Sequence, residues 1–133
     1  MDASIRYEVS TYVSLLKDCA KDKNLVKGCS IHADVVKRGL LHWSPHLGSS
    51  LISMYVKCGR LIEGRKLFDD MCRQNDNSDV RDIVSWGAML GGYVEIGQFS
   101  LAFDLFHDMQ CCGVKPNAVV LLCMLRASVS LEA

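Results

Sequence analysis

The sequence predicts an all-α fold: an α-solenoid of stacked helix-turn-helix repeats, about three of them complete and one partial. Three observations predict it. The stretch YVKCGRLIEGRKLFDDM at residues 55–71 returns 38 residues later as YVEIGQFSLAFDLFHDM at 93–109, keeping Tyr-Val, Gly, Leu-Phe and Asp-Met in register. Apolar residues within each copy recur at i, i+3, i+4 and i+7, the spacing of one helix face. Gly59 and Gly97 punctuate the two copies at the same point, where a helical hairpin would turn. A single hairpin cannot bury its apolar stripe, so such units stack on one another.

The repeat frames fall at 9–44, 45–82 and 83–117, with a further repeat opening at 118–133, and the array fills the chain from 1 to 133 as one domain. In the first frame Leu15, Leu16 and Cys19 mark one helix, and Gly28, Ile31, His32 and Val35 mark the next, which Gly39 closes. The second frame repeats this with Leu51, Ile52 and Tyr55, then Gly64, Leu67, Phe68 and Met71. Its end, CRQNDNSDVR at 72–81, is polar and without a helical stripe, and reads as an inserted exposed loop. Met89, Leu90 and Tyr93 followed by Ala102, Leu105, Phe106 and Met109 make the third frame, with Gly113 and Pro116 as its stop. The second helices thus each begin their apolar set with a small residue, Gly28, Gly64 or Ala102. Glycine inside a helix costs about 1 kcal/mol relative to alanine, which predicts close helix contacts there. The last segment, AVVLLCMLRASVSLEA, is apolar nearly all round, and residues 121–131 are expected to meet a protein partner or a second copy of the chain.

Half of the residues are hydrophobic, too many for a disordered chain. Fifteen basic residues balance fifteen acidic ones, which excludes a strongly basic or acidic binder; the basic excess sits in residues 1–44, seven against five. The seven cysteines form no C-x-x-C pair and read as small buried hydrophobes of a reducing compartment. His107 and Cys111 stand at i, i+4, but two ligands do not make a metal site, and neither metal nor cofactor is expected. No apolar run is long enough for a membrane span, and the opening MDASIRYEVS shows no signal or transit peptide. There is no pairing of H-x-E with C-x-x-C and no Gly-rich phosphate loop, so the chain reads as a binding module and not an enzyme.

The repeat length, the YVKCGRL…RKLFDDM pattern, the IVSWGAML opening of the third frame and its GVKPN close together resemble the pentatricopeptide repeat family of plants. The resemblance covers residues 9–133. Frame one resembles the family's L type, frame two the S type, frame three the P type and the opened fourth another L, the order of the PLS subgroup; the chain is fragment-like and shows no E or DYW domain. The tetratricopeptide repeat is the rival, since Trp86, Tyr93, Ala102, Phe106 and Pro116 meet part of its pattern, yet Met89-Leu90 replaces its L-G pair.

The resemblance implies binding of single-stranded RNA, one base per repeat, in a mitochondrial or chloroplast setting of RNA editing or processing. It implies base reading by the fifth and last residues of each frame: Val13 with Ser44, Ser49 with Asp82, and Gly87 with Asn117. Ser49–Asp82 matches the family's guanine pattern; Val13–Ser44 is a poor reader, and Gly87 supplies no side chain. It implies wedging of bases by Ser10, His46, Val84 and Val119, of which only the valines fit the usual aliphatic type. Lys21 and Lys57 would face phosphates, and Glu95 reverses the charge at that place. The loop before Asp82 is longer than the family's usual link and threatens the Ser49–Asp82 pair. Alternatives are a protein-binding scaffold of tetratricopeptide type, or a truncated product without independent function.

Overall fold

Each hairpin turn follows from one local rule. A residue with positive φ ends the first helix, and its successor's N–H reaches back five residues to an orphan carbonyl. Arg60 N–H donates to Tyr55 O at 2.8 Å and Gln98 N–H to Tyr93 O at 2.9 Å, with Gly59 and Gly97 at φ of 79° and 80°. In the first repeat the same bond runs from Asn24 N–H to Cys19 O at 2.9 Å, but the positive-φ residue is Lys23, at 55°. A side chain in this region costs roughly 1–2 kcal/mol, so the first turn is strained where the other two are not. Asn24 offsets part of this: its Oδ1 accepts from Lys27 N–H at 3.2 Å and caps the next helix.

The structure is a computed structural model, and it describes residues 3–42, 45–73 and 83–132. Among them are seven α-helices: α1 (Ala3–Asp22), α2 (Leu25–Lys37), α3 (Pro45–Lys57), α4 (Leu61–Arg73), α5 (Ile83–Glu95), α6 (Phe99–Cys111) and α7 (Ala118–Glu132). A single 3-10 turn, Leu40–His42, follows α2. The first helices α1, α3, α5 and α7 pack side by side as one layer, and α2, α4 and α6 each lie against their own first helix and the next one. This is the solenoid that the repetition predicts.

One continuous core runs between the two layers, through Leu16, Val35, Leu51, Phe68, Trp86, Met109 and Val120. Phe68 of α4 meets Trp86 of α5 edge to face, centroids 4.8 Å apart at 87°, which locks the second repeat onto the third. Gly28 does sit at a close contact, since a Cβ there would lie 2.5 Å from Met54 Sδ; Gly64 does not, since a Cβ there would meet α3 at an ordinary 3.5–3.7 Å. Among the described residues no helix is long and apolar enough to cross a membrane.

α1 begins at Ala3, ahead of the first repeat frame at Val9, with no Gly or Pro to interrupt residues 3–9. α4 runs on to Arg73, so Cys72 and Arg73 are helical and do not belong to the inserted loop. Residues 74–82, the rest of that loop with Asp82, lie outside the described residues, as does Ser44.

Candidate nucleic-acid interface

The layer of first helices leaves one face open, and two adjacent cavities lie along it. The first, of about 650 Å³, is bordered by Lys17, Lys21, Lys23, His46, Lys57 and Val84. The second, of about 410 Å³, is bordered by Lys57, Val84, Gly87, Asn117, Val119 and Arg126. Ser53, Lys57, Val84 and Glu95 border both, and Val84 is the aliphatic side chain among these four at the boundary of the two slots. His46 borders the first slot and Val119 the second, which puts three of the expected wedge positions at successive slot walls.

Val84 is 50% exposed and Val119 61% exposed, at corresponding places of α5 and α7. An aliphatic side chain left half in water at one repeat position is not held there by the core. Lys21 and Lys57 are exposed on the same face, one helical turn beyond Lys17 and Ser53 respectively. Four lysines thus surround the first slot against Glu95, which borders both. That slot draws anions, although the whole chain is neutral.

The other expected residues are placed less simply. Ser49 is fully buried, and its Oγ lies 2.9 Å from Ser85 Oγ of α5, either hydroxyl being able to donate. It therefore sits in the seam between α3 and α5 and borders neither slot, where the sequence reading had put it in the groove. Val13 is likewise part of the core, at 7% exposure, and offers nothing to a base. Ser10 is exposed on α1 but borders neither slot. Gly87 and Asn117 do share the second slot. Asn117 Oδ1 accepts from Val120 N–H at 3.0 Å, capping α7, so the outward chemistry of this side chain is its amide donors. Ser44 and Asp82 lie outside the described residues.

Sequence reasoning missed Lys17, Ser50, Ser53 and Arg126, all of which border a slot. The signal that would have found Lys17 and Ser53 was available: each stands four residues before an expected phosphate-facing lysine, hence on the same helix face.

The groups with altered acidity lie away from the groove, at the contact of the first and second repeats. Burial pushes the Tyr55 hydroxyl well up, helped by neighbouring Cys29, and burial pushes the His32 imidazole down. His32 Nδ1 and Tyr55 OH are hydrogen-bonded to each other. Burial also raises the Cys19 and Cys58 thiols. Among the described residues no group of three His, Cys, Asp or Glu side chains could hold a metal ion. His107 and Cys111 do touch, Nε2 to Sγ at 3.6 Å.

These features define a helical-repeat protein with a slotted groove along its first helices. The chain belongs to the pentatricopeptide repeat family: the sequence pattern of the PPR repeat family matches residues 81–129, and that of the PPR repeat matches 49–75. It is similar to pentatricopeptide repeat-containing proteins of Arabidopsis thaliana. One, mitochondrial by name, is 36% identical over 117 residues, 88% of this chain and 11% of the relative. Another, chloroplastic by name, is 38% identical over 117 residues, 88% of this chain and 14% of the relative. A third is 37% identical over 129 residues, 97% of this chain and 14% of the relative. The chain thus spans a small part of the length of the relatives it matches.

Proposed function

We propose that the chain is a single-stranded RNA-binding module that acts by binding alone, in organellar RNA editing or processing. The observation that carries this reading is the pair of slots with Val84 at their boundary, His46 and Val119 as outer walls and Lys21 and Lys57 beside them. A base unstacked from its neighbours needs an apolar wall on each face and a cation near its phosphate. The slots offer this at the spacing of the repeats.

The mitochondrial and chloroplastic names of the relatives favour one of those organelles as the setting. The L, S, P, L order of the frames favours the PLS subgroup. At the second repeat the guanine reading then rests on Asp82, since Ser49 is engaged in the helix seam. The uncovered side of α7, where Leu121, Leu122, Leu125 and Val129 are exposed, is the surface through which the chain would associate with a second copy.

The test is a titration of short single-stranded oligoribonucleotides, with duplex RNA as control. Stacking contributes about 1–3 kcal/mol per base, and few bases can engage. Dissociation constants of roughly 10 μM or weaker follow. Equal binding of duplex and single strand would refute the reading.

A further inference from the structure

We infer that the second slot, at the third repeat, reads guanine through Arg126 of α7 and Glu95 of α5. This rests on the RNA-binding reading above and goes beyond the fifth-and-last-residue expectation, under which Gly87 leaves this repeat nearly blind.

The inference starts from two glycines that packing does not require. Gly87 and Gly91 stand one turn apart on α5, and both border the slot. A Cβ on Gly87 would lie 3.7 Å from Val120 Cγ2, and one on Gly91 would lie 3.8 Å from Cys123 Sγ; both are ordinary contacts. Gly92 behaves differently: there a Cβ would lie 2.8 Å from Leu61 Cδ1, so close packing does account for it. Glycine inside a helix is unfavourable relative to alanine, so Gly87 and Gly91 weaken α5 without relieving any crowding. Both border a cavity of about 410 Å³, within the range of sites that hold small molecules.

The shape and rim of that space select its occupant. Val84 and Val119 bound it with aliphatic surface, which suits a flat ring. Arg126 and Glu95 are exposed at its rim. Neither is in an ion pair among the described residues. A guanidinium needs two acceptors side by side, and a carboxylate needs donors. Guanine carries both sets: O6 and N7 accept on one edge, while N1–H and N2–H donate on the other. Adenine places an amino donor beside N7, which opposes an arginine, and offers no paired donors to the carboxylate. Uracil and cytosine lack the two-acceptor edge beside a two-donor edge.

The experiment is a fluorescence-anisotropy titration of the 133-residue chain with nine-nucleotide uridine oligomers carrying one central G, A or C. The expected result is a preference for G over A of roughly fivefold to a hundredfold, the span of one good bidentate contact. Arg126→Gln and Glu95→Gln should each shrink that ratio to about twofold, and both positions are exposed, so the fold should persist by circular dichroism. Gly91→Val, which fills the slot, should weaken binding of the G and A oligomers alike. If Arg126→Gln lowers affinity by the same factor for all three oligomers, Arg126 is a phosphate contact and the inference is wrong. Absence of a G preference in the unaltered chain overturns it too. Failure of every oligomer to bind overturns the RNA reading itself, a different outcome.

Discussion

Ser49 and Ser85 meet hydroxyl to hydroxyl at 2.9 Å across the seam of α3 and α5, both fully buried and 36 residues apart. A buried hydrogen bond between neutral groups contributes about 0.5–1.5 kcal/mol net. Ser49→Ala should therefore lower stability by about that amount, and Ser49→Ala with Ser85→Ala should cost less than the sum of the single changes. Urea unfolding of the four chains checks this. Strict additivity would show that the two hydroxyls do not act as a pair.

The three hairpin turns differ in strain, which predicts opposite effects of one kind of substitution. Lys23→Gly should raise stability by about 0.5–1 kcal/mol, the relief of the left-handed conformation less the added freedom of the unfolded glycine. Gly59→Ala and Gly97→Ala should each lower it by about 1 kcal/mol. Thermal unfolding midpoints measure all three, and a loss of stability on Lys23→Gly would contradict the turn geometry.

How much of this was legible beforehand depends on what each residue's neighbours are. The hairpins could be read because Gly59 and Gly97 announce a turn chemically and because Leu67, Phe68 and Met71 repeat as Leu105, Phe106 and Met109. The first turn was harder, since a lysine at positive φ leaves no mark in a sequence. Val84, Val119 and Lys57, expected on the groove through the resemblance, border the slots. Ser49 borders neither: a small polar side chain suits an open face and a helix seam equally, and only the position of Ser85 on α5 decides. Arg126 was overlooked amid the apolar run of α7, where nothing local sets it apart.

At Gly64 a Cβ would make ordinary contacts of 3.5–3.7 Å with Val56, Tyr55 and the Ile52 carbonyl. Gly64→Ala should therefore be tolerated or stabilising by up to about 1 kcal/mol, through helix propensity. Gly64→Leu must push further atoms toward α3 and should cost about 1–3 kcal/mol. Denaturant midpoints that rank leucine above glycine would mean that α4 stands farther from α3 than the structure shows.

His32 predicts an acid-sensitive fold. Its folded pKa is lowered by burial, so the unfolded chain binds the extra proton more readily. The corresponding stability is present above about pH 6.5, the ordinary histidine value, and is lost as pH falls through and below it. His32→Gln should flatten the stability profile between pH 7 and pH 5. An unchanged slope would place the acid sensitivity elsewhere.

The exposed side of α7 makes a prediction about assembly. Leu121→Ser with Leu125→Ser should abolish concentration-dependent association of the chain in sedimentation velocity at about 100 μM, because an apolar patch of this kind drives self-contact. A monomer at that concentration in the unaltered chain would show that the patch has no such role.

The central claim is that RNA lies along the open face of the first helices, wedged by Val84 and Val119. The most direct test is a backbone amide NMR titration of the isotopically labelled chain with a single-stranded oligoribonucleotide. The predicted result is that shifts concentrate at Val84, Gly87, Gly91 and Val119, with smaller ones near Lys21 and Lys57, and that Val84→Ser with Val119→Ser suppresses them. Shifts confined to α2, α4 and α6, or none at about 1 mM RNA, would contradict it.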